Sequence, residues 1–138
     1  MDVKAIIFDK DGTLLDFNAF WITVSVYAIN DILKKAGKED IDLQEILSVW
    51  GVHDGKADVN GLLCKGTYEQ MGLALHEVLE AHGAKLSPEE TVRLTAQAYT
   101  EHAEAGEIKP TCENLREVLV RLKERGIKLA VVTTDNKE

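Results

Sequence analysis

Residues 5–16 read Ala5-Ile6-Ile7-Phe8-Asp9-Lys10-Asp11-Gly12-Thr13-Leu14-Leu15-Asp16, an apolar run that ends in two carboxylates and a glycine. The β-branched and aromatic residues of the run predict a buried strand, and Gly12 permits a sharp turn directly after it. We therefore expect Asp9 and Asp11 at the C-terminal end of this strand. Open α/β sheets bind their ligands at that edge.

The spacing of these two aspartates favours a chemical role. A carboxylate fixed at a sheet edge can act as a nucleophile on a phosphoryl or acyl centre. A second carboxylate two residues later is close enough to move protons for the same reaction. The alternatives are a solvated turn or a partial calcium loop, but an EF-hand loop follows a helix and has its glycine later than Gly12 stands here.

Helical patterns follow the first strand. Apolar residues recur at three- and four-residue steps from Ile22 to Leu33, and Gly37 marks the end of this helix. Asp42 predicts the start of a second helix, with Glu45 reaching back to complete a capping box.

Two further helices are predicted after a loop. Residues 50–61 are rich in glycine and aspartate, which indicates a loop. Thr67 with Gln70 predicts a capping box and a third helix. Ser87 followed by Pro88 predicts a fourth, because proline suits the first helical position.

A second strand is predicted near the end of the sequence. A helix over residues 111–125, ended by Gly126, leads into the apolar run 127–133. A strand, a helical insertion and a second strand imply a parallel pair whose crossover has been expanded into a lid. The hydroxyl of Thr133 would then lie at the same sheet edge as the aspartates, where it can donate to a phosphoryl oxygen.

The first motif resembles that of the haloacid dehalogenase (HAD) superfamily, an apolar strand followed by Asp-x-Asp-Gly-Thr-Leu, and it matches from Ile6 to Leu14 without a gap. The resemblance implies an α/β fold with a HAD-like (Rossmann-like) parallel-sheet core. Residues 1–15 and 108–138 would form a partial core, and residues 16–107 an inserted α-helical cap.

The same resemblance implies a role for each motif residue. Asp9 would be the nucleophile that becomes aspartyl-phosphate, and Asp11 the general acid and then the general base. Thr133, Thr134 and Gly12 would bind the substrate phosphate, and Asp9 and Asp11 would hold Mg²⁺. The implied activity is a phosphatase acting on a small phosphorylated metabolite.

The resemblance also implies a later lysine and a further metal-binding aspartate, which we do not find before Glu138. We therefore expect an incomplete core and a chain that is inactive as given. Open sheet edges predict self-association or cover by a missing C-terminal segment. A phosphomutase and a non-catalytic remnant acting through association stay open, whereas Asp11 disfavours dehalogenases and phosphonate hydrolases.

The composition argues against several partners. The 138 residues are 45% apolar and 29% charged, with a formal net charge of −8, which nucleic acid and anionic membranes would repel. Cys64 and Cys112 are too few for a disulfide framework or a zinc site. No basic segment followed by a long apolar one opens the sequence, so we expect a cytoplasmic protein.

Overall fold

The computed structural model describes residues 2–133. Its elements, in chain order, are β1 (Ala5–Asp9), α1 (Phe17–Ala36), α2 (Leu43–Val49), β2 (Val52–His53), β3 (Lys56–Ala57), α3 (Leu62–Lys65), α4 (Tyr68–Ala81), α5 (Pro88–Glu101), a 3₁₀ turn (Ala103–Ala105), α6 (Leu115–Glu124) and β4 (Lys128–Val132). Among the described residues, no helix is both long and apolar enough to cross a bilayer.

The chain divides into two compact units. The first comprises residues 1–17 and 108–138, and the second comprises residues 18–107. The first segment of the first unit ends at Phe17, the first residue of α1.

A two-stranded parallel sheet forms the centre of the first unit. β1 pairs with β4, with Ile6 opposite Leu129 and Asp9 opposite Val132. The predicted parallel pairing of these two segments is therefore present. α6 precedes β4 and contacts it.

α6 begins at Leu115, later than the sequence pattern predicts. The expected first residue, Thr111, is held by the loop after β1 instead. Its backbone N–H donates to the Leu14 carbonyl at 3.1 Å, and its hydroxyl donates to the Thr13 carbonyl at 2.7 Å. These contacts fix residue 111 outside the helix.

All buried residues of the described chain lie in the second unit. Its apolar core draws on α1, α2, α4 and α5 and the segments between them, with these members: Val24, Ala28, Ile29, Ile32, Leu33, Ile41, Ile46, Leu47, Trp50, Val52, Met71, Leu75, Val78, Leu79, Leu94, Ala98 and Tyr99. α4 and α5 pack closely at Gly72, where an added Cβ would lie 2.6 Å from the Cα of Val92. The Trp50 indole N–H donates to the Met71 carbonyl at 3.0 Å.

The predicted caps are partly correct. Thr67 and Gln70 form the expected capping box at the start of α4. At α2, Asp42 caps by accepting from the Gln44 N–H at 2.9 Å, but the predicted return contact from Glu45 is wrong. The Glu45 carboxylate binds the His82 ring instead, at 3.0 Å.

Residues 50–61 contain structure that the prediction of a loop missed. β2 and β3 form a short antiparallel hairpin, with His53 opposite Lys56. Asp54 and Gly55 connect them with φ values of 50° and 72°. Two successive positive φ values suit a two-residue hairpin turn, for which Asp-Gly is a preferred sequence.

Candidate active site

Asp9 and Thr133 lie at the same edge of the parallel sheet. Asp9 is the last residue of β1 and is exposed. It stands opposite Val132, the last residue of β4, so Thr133 is the next residue beyond the paired edge. Because parallel strands end on the same side, the carboxylate and the hydroxyl come from adjacent strand ends. Thr134 lies outside the described residues.

The loop after β1 is held by its own backbone. The N–H groups of Leu14 and Leu15 donate to the Lys10 carbonyl at 2.9 and 3.0 Å. In return, the Gly12 N–H donates to the Leu15 carbonyl at 2.8 Å. Gly12 has a φ of 77°, a conformation that side chains with a Cβ rarely adopt. The glycine therefore fixes the turn that carries Asp11.

Asp11 lies in a more enclosed position than Asp9. Its side chain is 21% exposed, and its Oδ2 lies 3.5 Å from the Lys10 ammonium. The positive charge of Lys10 partly balances the negative charge of Asp11, which limits repulsion between two carboxylates of the same loop. Lys10 was not among the residues predicted for the site, although its place between the two aspartates is a sequence signal for this contact.

The donor chemistry of this edge suits a hard divalent cation. Magnesium prefers oxygen ligands in a near-octahedral arrangement. The carboxylate of Asp9 and the backbone carbonyl of Asp11 supply such oxygens, so these residues fit Mg²⁺ and the Asp11 side chain stays available for proton transfer. Two oxygens cannot fill an octahedral shell, so the other ligands would be phosphate, water or further residues.

A second group of metal-ligating side chains lies in the unit formed by residues 18–107. Ligand atoms of Asp31, Glu101 and His102 all lie within 4.8 Å of one another. The Lys35 ammonium is already 2.8 Å from Asp31 and 3.4 Å from Glu101. Its hydrogen bond to Asp31 raises the pKa of Lys35, while a hydrogen bond from Gln97 lowers the pKa of Glu101. Lys35 thus supplies the cation of this cluster.

Comparison with known proteins identifies the family. A family model described as haloacid dehalogenase-like hydrolase matches residues 3–138. The chain belongs to this family. The match covers both units and includes the motif with Asp9 and Asp11, so the HAD resemblance drawn from the sequence is confirmed.

Two relatives of this HAD-like chain show how much of a family member it represents. One, named as a pyrophosphatase, PpaX, from Caldanaerobacter subterraneus subsp. tengcongensis, is 30% identical over 140 residues, which cover 100% of this chain and 50% of the relative. The crystal structure of a predicted phosphoglycolate phosphatase from Haemophilus somnus 129pt superposes with a TM-score of 0.57 at 22% identity. This structural match covers 98% of this chain and 53% of the chain in the crystal structure. The chain therefore has a HAD-like fold and spans about half the length of these relatives.

Proposed function

We propose that this chain carries the nucleophile-bearing half of a phosphatase that hydrolyses small phosphomonoesters through an aspartyl-phosphate intermediate. The observation that carries the proposal is the register of the sheet, which brings Asp9 and Thr133 to adjacent strand ends. The nucleophile and a hydrogen-bond donor for the phosphate can then reach the same phosphoryl group. The names of the two relatives, a pyrophosphatase and a phosphoglycolate phosphatase, support a small phosphorylated substrate.

The first step transfers the phosphoryl group to the enzyme. A carboxylate oxygen of Asp9 attacks phosphorus, and the bond from phosphorus to the substrate oxygen breaks. Asp11, in its protonated form, gives its proton to the leaving alcohol. The Thr133 hydroxyl donates to a non-bridging phosphoryl oxygen, which stabilises charge there.

The second step releases inorganic phosphate. Asp11, now ionised, accepts a proton from a water molecule as that water attacks phosphorus. The bond between phosphorus and the Asp9 oxygen breaks, and the free carboxylate is restored. Asp11 thus returns to its protonated form, and protons balance over the cycle.

Gly12 and Mg²⁺ support these steps in different ways. The Gly12 N–H already donates to the Leu15 carbonyl, so Gly12 would shape the turn rather than bind phosphate. Mg²⁺, held by Asp9 and Asp11, would neutralise charge so that one anion can approach another. Thr134 is proposed to add a further phosphate contact.

The test uses a hybrid protein in which the second half of the PpaX relative follows residue 138. We expect hydrolysis of p-nitrophenyl phosphate that requires Mg²⁺ and stops when a chelator is added. Asp9→Asn should reduce turnover by at least about 10³-fold, because an amide is a far poorer nucleophile than a carboxylate. Asp40→Asn makes the same charge change at an exposed position outside the site and should leave turnover intact.

Two results would refute the covalent mechanism. One is full activity of the Asp9→Asn hybrid, and the other is turnover that a chelator does not affect. The 138-residue chain alone should show little or no turnover, because its described part supplies too few groups for the metal and the phosphate.

A further inference from the structure

Two consecutive carbonyl groups of the turn after β1 are held by a single residue from a distant part of the chain. The Thr111 hydroxyl donates to the Thr13 carbonyl at 2.7 Å, across 98 positions of sequence. The Thr111 N–H donates to the Leu14 carbonyl at 3.1 Å. Thr111 thus fixes this turn from outside, whereas the other hydrogen bonds described above fix it from within.

The backbone beside Thr111 is suited to this contact. Leu15 and Pro110 lie opposite each other in an antiparallel bridge. On one side of it the Asp16 N–H donates to the Lys109 carbonyl at 2.8 Å, and on the other side the Thr111 N–H is the donor. The central residues of such a pair exchange no hydrogen bond, so Pro110 fits there although it has no N–H. The pairing therefore presents Thr111 to the turn.

The part of the turn that Thr111 holds is tied to both chain neighbours of Asp11. The N–H groups of Leu14 and Leu15 bind the Lys10 carbonyl, and the Leu15 carbonyl binds the Gly12 N–H. Asp11 itself forms a bridge with Leu15. A shift of the held carbonyl groups would therefore move the backbone on either side of Asp11.

We propose that Thr111 is a positioning residue for Asp11, acting through the turn and not through contact with the substrate. The proposal rests on the proposed function, in which Asp11 gives a proton to the leaving oxygen. A general acid must lie within hydrogen-bond reach of the atom that it protonates. A misplacement of about 1 Å can lower a rate by about 10²-fold, so the hydroxyl that holds the turn matters for the proton transfer.

The test compares variants of the hybrid that carries the second half of the PpaX relative. Thr111→Val removes the hydroxyl but keeps the backbone N–H and the β-branched shape, and Thr111→Ser keeps a hydroxyl. Thr100→Val is the matched control, because the Thr100 hydroxyl also donates to a carbonyl in an exposed position, that of Ala96 in α5, at 3.1 Å. The bond made by Thr111 is exposed, so water can replace it and the fold should persist, as checked by circular dichroism.

Two substrates separate positioning from a general loss of folded protein. Phenyl phosphate releases a more basic oxygen than p-nitrophenyl phosphate does, so its hydrolysis depends more on the proton from Asp11. We expect Thr111→Val to lower kcat/KM about tenfold for phenyl phosphate and less than about threefold for p-nitrophenyl phosphate. Thr111→Ser and Thr100→Val should keep both values within about twofold of the parent hybrid. Equal losses for the two substrates, or no loss, would overturn the proposal.

Hydrogen exchange in the 138-residue chain tests the anchor without turnover. The amides of Gly12, Leu14 and Leu15, followed by NMR, should exchange about tenfold faster in Thr111→Val, because the turn opens more readily, and at the parent rate in Thr100→Val. Unchanged exchange of all three amides in Thr111→Val would overturn the proposal. An unsubstituted hybrid without turnover, together with faster exchange in Thr111→Val, would contradict the proposed function, while the anchoring of the turn by Thr111 would stand.

Discussion

Ser25 and Tyr99 make a polar contact inside the apolar core of the second unit. The Ser25 hydroxyl donates to the Trp21 carbonyl at 2.7 Å, which uses its single proton. The Tyr99 hydroxyl, 2.5 Å from the Ser25 oxygen, must therefore be the donor of their shared hydrogen bond. Burial raises the pKa of Tyr99, which keeps the phenol neutral and able to donate.

Removing the acceptor should cost stability. Ser25→Ala leaves the Tyr99 hydroxyl buried without its partner, and we expect a loss of about 1–3 kcal/mol in the free energy of unfolding, measured by urea denaturation. Adding Tyr99→Phe to Ser25→Ala should cost less than the sum of the two single changes, since the unpaired group is gone. Strict additivity would show that the contact contributes nothing.

The two cysteines should differ in reactivity. Cys64 is half-buried, and burial raises its pKa, so less of it is thiolate at a given pH. Cys112 is exposed. At about pH 8 we expect iodoacetamide to alkylate Cys112 first, as followed by peptide mass spectrometry. Similar rates in urea would serve as the control, and faster reaction of Cys64 in the folded chain would contradict the structure.

At the scale of elements, the capping box of α4 is a device whose contribution can be isolated. Thr67→Ala removes the acceptor for the Gln70 N–H, and we expect a loss of about 1 kcal/mol in the free energy of unfolding. Thr100→Ala makes the same chemical change on the exposed surface of α5 and should alter stability by less than about 0.5 kcal/mol. Equal losses from the two changes would show that the cap has no special effect.

The elements that sequence could predict were those with local signals. β1 is a short apolar run that is followed by a glycine. The two residues of the α4 capping box, Thr67 and Gln70, are only three positions apart in the sequence. The common strand edge of Asp9 and Thr133 also followed from chain order, because a helical crossover favours parallel strands. Local patterns therefore predicted the sheet and this shared edge, while the roles of the two residues stay predictions.

Other features depended on contacts that are distant in sequence. Glu45 binds His82 rather than its own helix start, and Thr111 is held by Thr13 instead of opening α6. The hairpin at Asp54 had a readable Asp-Gly signal, but its two-residue strands are too short to show a period. At the site, the use of the Gly12 N–H within the turn could not be foreseen from residue types alone.

At the scale of the whole molecule, the two units differ in how much they bury. Every buried apolar residue among the described residues lies within 18–107, whereas the strands of the first unit carry exposed apolar residues, among them Ile7, Val131 and Val132. Local opening costs least where few apolar contacts are buried. The units should therefore differ in local stability.

Hydrogen exchange can measure this difference. In the 138-residue chain, we expect amides of β1 and β4 to exchange faster than those of α4 and α5, as followed by mass spectrometry of peptides. In the hybrid with the PpaX second half, protection of β1 and β4 should rise while that of α4 and α5 changes little. Equal protection of both units in the 138-residue chain would contradict this account.

The identity of the nucleophile can be tested by trapping the intermediate. The hybrid is mixed with substrate and Mg²⁺ and treated at once with borohydride, which reduces an acyl phosphate to an alcohol and would convert Asp9 to homoserine. Peptide mass spectrometry should find homoserine at position 9 only when substrate is present, and not in the Asp9→Asn hybrid. Homoserine at another aspartate, or none during active turnover, would contradict the assignment of Asp9 as the group that receives the phosphoryl group.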